Sequence, residues 1–148
     1  MSDALVPEHD ATEPDAISLY EAAGGTPFFV ALVDAFYEGV VTDAVLLQLY
    51  ALDDIVGARH RLTLFLAQYW GGPTTYMDER GHPKLRMRHM PFHIGPAERD
   101  RWLLHMAAAV ERTAPSPEIH DTLMAYFVPA AEHLRNDTGL PISSARAR

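Results

Sequence analysis

Apolar positions along this chain recur at three- and four-residue spacing, and no segment sustains the alternation of a strand. Residues 28–40, FFVALVDAFYEGV, are apolar nearly all round, which predicts a deeply buried helix. Thr26-Pro27 reads as its start, a cap followed by proline at the first helical position. Thr42 reads as the cap of a short helix through Tyr50. From Asp53-Asp54 onward, Ile55, Ala58, Leu62, Phe65, Leu66 and Tyr69 form one helical stripe. The two acids suit the positive end of the helix dipole, and Gly71-Gly72-Pro73 ends the helix. Residues 71–81 read as an irregular stretch, long for a helix connection. Pro83 begins a short helix that cannot run cleanly through Pro91. Gly95-Pro96 opens the next, with Trp102, Met106, Ala109 and Val110 on one side. Ser116-Pro117 opens the last, to about Leu134, and Pro129 inside it should bend it. The pattern predicts an all-α fold with helices of unequal length.

Composition narrows this. A chain of 148 residues makes one domain the default, and its apolar content supports one real core. Residues 1–16 carry five acids and no Lys or Arg, and read as a disordered acidic extension. Residues 17–141 then form the helical domain, and residues 142–148 a disordered tail. The absence of cysteine excludes disulfides, thiolate zinc sites, iron–sulfur ligation and covalent c-type haem attachment. No apolar run approaches the roughly 18 residues of a membrane span. The N-terminus lacks the basic start and apolar run of a secretory signal, so the expectation is a soluble cytoplasmic protein.

Charge is uneven, and the exception draws attention. The net charge is −8, yet Arg80, Lys84, Arg86 and Arg88 cluster in a stretch with no acid between Glu79 and Glu98. Such a patch suits an anionic partner or a solvated helix face. It is too short to support nucleic-acid binding at this net charge.

Eight histidines invite a metal reading. His89 and His93 have the four-residue spacing of two ligands on one helix face, but Pro91 lies between them and disfavours helical geometry at Met90. Neither Glu118-Ile119-His120 nor Glu132-His133 has the spacing of a carboxylate diiron site. No phosphate-cradling glycine loop or nucleophile elbow occurs. What remains is His89, at the C-terminal end of a short basic helix beside an aromatic-rich helical core. Haem suits that constellation: iron takes one neutral imidazole, the porphyrin faces need apolar walls, and the propionates need cations. Arg86, three residues before His89, lies near the same helix face. On spacing alone, a histidine near a helix end is more often a surface or hydrogen-bonding residue, so both readings stand.

The stretches YEAAGGTPFF, FYEGV, QYWGGPTTY, RGHPKLRMRHMPFHIG and ERDRWLLHM, with the tyrosine closing LLQLY, occur in one order from about Ser18 to Pro141. In that order the chain resembles a group II truncated haemoglobin of the actinobacterial type. The resemblance implies a shortened globin fold, a two-over-two helical sandwich around haem b. It puts the proximal iron ligand on His89 and the distal polar residues on Tyr37, Tyr50 and Trp102. The small residue at the usual distal-histidine position falls on Ala58, and His60 should point elsewhere. Leu62 and Phe65 would line the distal face, and Arg61 would reach a propionate. Tyr76, Arg86 and Phe92 would edge the proximal side and rim, with Met87 and Met90 as packing residues.

Two functions follow from the resemblance. One is reversible binding of O2 and other diatomics such as NO and CO. The other is redox turnover, nitric oxide dioxygenation or peroxide reduction, with electrons from an unidentified external reductase. Two or three distal donors at about 1 kcal/mol each slow oxygen release by orders of magnitude, which argues against a delivery role. A homodimer stays open; Pro129 alters a segment that often packs at such an interface.

Overall fold

The apolar run at residues 28–40 becomes the most buried element of the molecule. A computed structural model describes residues 17–50, 52–89 and 93–136, and all regular structure among them is helical. In chain order come α1 (Leu19–Ala23), α2 (Thr26–Val40), α3 (Ala44–Leu47), a 3-10 turn (Leu52–Asp54), α4 (Ile55–Tyr69), α5 (Thr75–Arg80), α6 (Leu85–His89), α7 (Pro96–Thr113) and α8 (Pro117–His133). The expectations for residues 1–16 and 142–148 lie outside the described residues.

Helix α2 packs against both α4 and α7, and α7 packs against α8. Two helix pairs, α2 with α4 and α7 with α8, are thus joined through α2 and α7 in the two-over-two arrangement. Phe29, Leu32, Val33, Phe36 and Val40 of α2 are fully buried. They share one core with Met106 and Val110 of α7 and Leu123 and Phe127 of α8. Burying each large apolar side chain contributes about 1.5–3 kcal/mol, so α2 is the element whose loss the fold tolerates least.

Helix starts differ from the sequence expectation in two instructive places. Thr26 is the first helical residue of α2, and the cap position belongs to Gly25, with φ 80° and ψ −160°. Only glycine adopts that backbone without strain. The Thr26 hydroxyl instead pairs with the Tyr20 hydroxyl at 2.5 Å, tying α1 to α2. Similarly, Thr42 donates to the Gly39 carbonyl and does not cap α3. Asp43 does, its Oδ1 accepting from the N–H groups of Val45 at 3.0 Å and Leu46 at 3.4 Å. Helix α3 also stops at Leu47, short of Tyr50.

Asp43 has a second task. Its Oδ2 accepts from Arg101 Nε at 2.8 Å and lies 2.7 Å from His105 Nε2, both on α7. Burial alone would raise this carboxyl, but the His105 and Arg101 interactions and the two backbone donors outweigh it and lower its pKa to about 2. Glycine at position 39 lets α2 pass directly beside this pair, because a Cβ there would strike the His105 ring.

Two short helices stand where the sequence reading had none. Helix α1 is capped by Ser18, whose hydroxyl accepts from the Glu21 N–H at 3.1 Å. Helix α5 occupies most of the stretch expected to be irregular; the side chain of Gln68 on α4 accepts from the Met77 N–H at 2.9 Å. The last two helices start as expected. Glu98 Oε1 accepts from the Gly95 N–H at 2.9 Å ahead of Pro96, and the Ser116 hydroxyl accepts from Ile119 N–H. Helix α8 continues through Pro129 to His133. Among the described residues no helix is long and apolar enough to cross a membrane.

Candidate functional site

The inward stripe of α4, the aromatic side of α7, the short α6 and the C-terminal half of α8 enclose a cavity of about 670 Å³. That lies within the range of roughly 300–1,000 Å³ found for small-molecule and cofactor sites. Tyr37, Tyr50, Ala58, Arg61, Leu62, Phe65, Tyr76, His89 and Trp102 all line it, so nine sequence-predicted site residues meet in one place. Of the remaining two, Phe92 lies outside the described residues and the Arg86 side chain is not described. His60, two positions from Ala58, is exposed and faces Glu79 at 3.7 Å.

One part of the wall carries polar aromatics on a rigid base. Phe36, fully buried in α2, contacts both the Tyr37 ring (5.1 Å between centroids) and the Trp102 ring (5.3 Å). Tyr37 in turn meets Tyr50 edge-on at 5.7 Å. Burial, reinforced by the neighbouring Tyr50, pushes the Tyr37 hydroxyl far above its ordinary range, although Arg61 and Arg59 pull the other way. Burial likewise raises Tyr50, while its hydrogen bond with Tyr37 lowers it. Both hydroxyls therefore hold their protons at neutral pH. Each can donate or accept, and Trp102 is a donor only.

His89 is the last residue of α6, and its Nδ1 lies 2.6 Å from the Leu85 carbonyl one turn earlier. A carbonyl can only accept, so Nδ1 carries the hydrogen and Nε2 carries the lone pair. Burial lowers the His89 pKa and so favours the neutral ring, opposed by the Leu85 bond, which raises it. A neutral imidazole oriented by a backbone carbonyl is the form that ligates metals.

Cations stand around this cavity, though not all in the way the sequence reading had them. Arg61 lines it but also donates to Asp54 Oδ2 at 2.7 Å. Arg80, Arg88 and Arg99 line it as well. Arg88 is committed to structure: Nε donates to the Pro83 carbonyl at 2.6 Å, and Nη2 to the carbonyls of Arg80 and His82. Arg99 is ion-paired with Asp100 and Glu132.

Sequence reasoning missed the contribution of α8. Tyr126, Phe127, Ala130, Ala131 and Leu134 supply one wall. The three- and four-residue spacing of Leu123, Phe127, Ala130 and Leu134 was the available signal, but it marks a buried face without saying what lies beyond it. Leu46, Leu49, Leu66, Leu85 and Ile94, with the carboxylates of Asp54 and Glu98, complete the lining.

The residues present fit haem. They offer an imidazole with a defined ligating nitrogen, mostly apolar and aromatic walls, and arginines at the lining, where Asp54 is paired with Arg61 and Glu98 with the Gly95 N–H. Comparison with known proteins agrees with that chemistry. The family model for bacterial-like globins matches residues 18–136. Group 2 truncated hemoglobin YjbI of Bacillus subtilis is 37% identical over 119 residues, spanning 80% of this chain and 89% of its own. Among solved structures, a thermostable hemoglobin from the actinobacterium Thermobifida fusca is 51% identical, with a TM-score of 0.79 over 81% of this chain and 98% of that one. The group II truncated hemoglobin of Bacillus anthracis is 35% identical, with a TM-score of 0.77 over 82% and 98%. Family model, relatives and fold coincide over the helical region: the chain belongs to the bacterial-like globins, as a group II truncated haemoglobin.

Proposed function

We propose that this globin is a cytoplasmic haem b protein that binds O2 and related diatomic ligands reversibly, with His89 as the residue that would ligate the iron. The observation that carries the reading is the 2.6 Å contact between His89 Nδ1 and the Leu85 carbonyl on the wall of the aromatic cavity. It sets the tautomer that leaves Nε2 as the ligating atom and raises its basicity. Haem, when bound, supplies the ferrous iron at which diatomic ligands are held.

The chain's own residues do the rest. Tyr37, Tyr50 and Trp102 form the polar part of the wall, packed through Phe36 and Tyr37 so that their donors cannot swing away. The Tyr37 and Tyr50 hydroxyls and the Trp102 indole N–H are the donors available to a diatomic ligand. Ala58 leaves room where a larger residue would fill the pocket. Leu62, Phe65 and Tyr76 line the cavity and would exclude water from a bound haem. Arg61, with Arg80 and Arg99 as further cavity-lining cations, offers positive charge to the propionates; Arg86 and Phe92 are assigned to the proximal rim on sequence grounds alone.

Substitution tests the assignment directly. Purified protein should carry a Soret band, and His89→Ala should abolish stable haem retention. An unchanged ferrous spectrum and haem affinity in that variant would sink the proposal. Redox turnover with an external reductase is the competing role for the same pocket. Oxygen off-rates set beside turnover of nitric oxide or peroxide, with a reductase supplied, separate the two.

A further inference from the structure

Helix α6 is only five residues long, far too short to hold its own geometry in water. Something outside it must fix the carbonyl to which His89 is tethered. Its entry is held by Arg88, whose guanidinium draws in the carbonyls of Arg80, His82 and Pro83. Its exit is held by a residue that the sequence reading did not single out, Asn136.

Asn136 follows α8, 47 positions from His89 in the chain. Its Nδ2 donates to the His89 carbonyl at 3.3 Å, and its Oδ1 accepts from the Ile94 N–H at 2.9 Å. The Asn136 backbone N–H donates to the Ile94 carbonyl, also at 2.9 Å. These bonds assign the amide orientation, because the Ile94 N–H can only donate and the His89 carbonyl can only accept. The His89 carbonyl is one of the helix-end acceptors that α6 itself cannot satisfy. One side chain therefore spans residues 89 and 94, on either side of the connection that contains Pro91. It anchors both to the end of α8, which also walls the cavity.

We propose that Asn136 is a positioning residue for the His89 imidazole. By holding the His89 carbonyl it fixes the final turn of α6, and with it the Leu85 carbonyl that sets the tautomer and tilt of the ring. Removing the donor frees that turn, weakens the Nδ1–H bond to Leu85, and lowers the basicity of Nε2. The proposal rests on His89 being the iron ligand.

The test uses the haem-loaded full chain with two variants. Asn136→Ala removes both side-chain bonds, whereas Asn136→Asp keeps an acceptor for the Ile94 N–H and loses the donor to His89. Resonance Raman spectra of the deoxygenated ferrous proteins report the iron–histidine stretch. Both variants should move that band to lower frequency and broaden it. Both should also release haem to an excess of apo-globin scavenger faster, by about tenfold, the low end for groups that orient a metal ligand. Should Asn136→Ala fail to fold, the aspartate variant carries the measurement. An unmoved band in variants that merely melt earlier would overturn the proposal, reducing Asn136 to a brace between α8 and the loop. Absence of the band in the parent chain overturns His89 ligation itself, which is a different and separable outcome.

Discussion

Trp102 and Tyr50 differ from the other aromatics of this core in what their polar ends can do. Phe36 and Phe127 pack against the Trp102 ring from two sides, at 5.3 and 5.7 Å between centroids, so its N–H is held by shape rather than by a partner's pull. Replacing Trp102 with Phe preserves most of that packing and removes the donor. Oxygen dissociation, followed by stopped flow, should accelerate about five- to tenfold, the equivalent of about 1–1.4 kcal/mol for one hydrogen bond. Tyr50→Phe differs in kind. It removes one hydroxyl and with it the hydrogen-bond partner of Tyr37, leaving that buried hydroxyl to rotate toward a bound ligand. Its effect on the off-rate should therefore be smaller than that of Trp102→Phe, and the double variant should depart from additivity. Equal and additive effects would argue against the Tyr37-to-Tyr50 bond.

Helix α3 is four residues long and owes its place to Asp43, which caps it and binds Arg101 and His105 on α7. The Asp43 side chain is only 3% exposed; its His105 partner is 16% exposed and Arg101 46%, so solvent screens the Arg101 pair more than the His105 pair. Asp43→Asn should cost about 2 kcal/mol at neutral pH, the scale of a charge-assisted hydrogen bond, seen as a lower urea midpoint. The pH dependence has a definite sign. The folded carboxyl, at about 2, lies below its ordinary value of 3.8. The ionised form thus stabilises the fold fully above that ordinary value, and the contribution fades as pH falls toward about 2. The gap between parent and Asp43→Asn should narrow over that window. Exposed pairs such as Arg112 with Glu38 lie on the surface and should contribute little at any pH.

Taken whole, the molecule encloses a large cavity in a small domain, and that has a thermodynamic consequence. The walls of such a space forgo the packing that a filled core provides. A ligand that binds only the folded state stabilises it by about 4 kcal/mol at a thousandfold excess over Kd. For a domain of this size the melting temperature should rise on the order of 10 °C when haem is added, measured by calorimetry. His89→Ala should lose most of that gain while leaving the haem-free protein nearly unchanged. A similar rise in that variant would point to non-specific haem association.

Much of this molecule was legible in one dimension. Helical periodicity marked the core faces of α2, α4 and α7, because burying one side of a helix demands that spacing wherever the helix packs. Pro96 and Pro117 marked helix starts, because proline lacks only an N–H that a first turn leaves unpaired. Motif order then marked His89, Tyr37, Tyr50 and Trp102 as candidates, and all four line the same cavity. Features that depend on a partner beyond the three- and four-residue helical spacing were not legible. Helix α5 owes a capping bond to Gln68, Thr26 turns to Tyr20, and Asp43 acts on a helix some sixty residues away. The wall from α8 and the Asn136 tie to His89 belong to the same class. Sequence by itself determined which faces must be buried and which residue types could do the chemistry, since both are written in local spacing. Only the tertiary structure decided which nitrogen of His89 faces its carbonyl, which arginines are already paired, and what holds the last turn of α6, since each is a bond between residues that folding alone brings together.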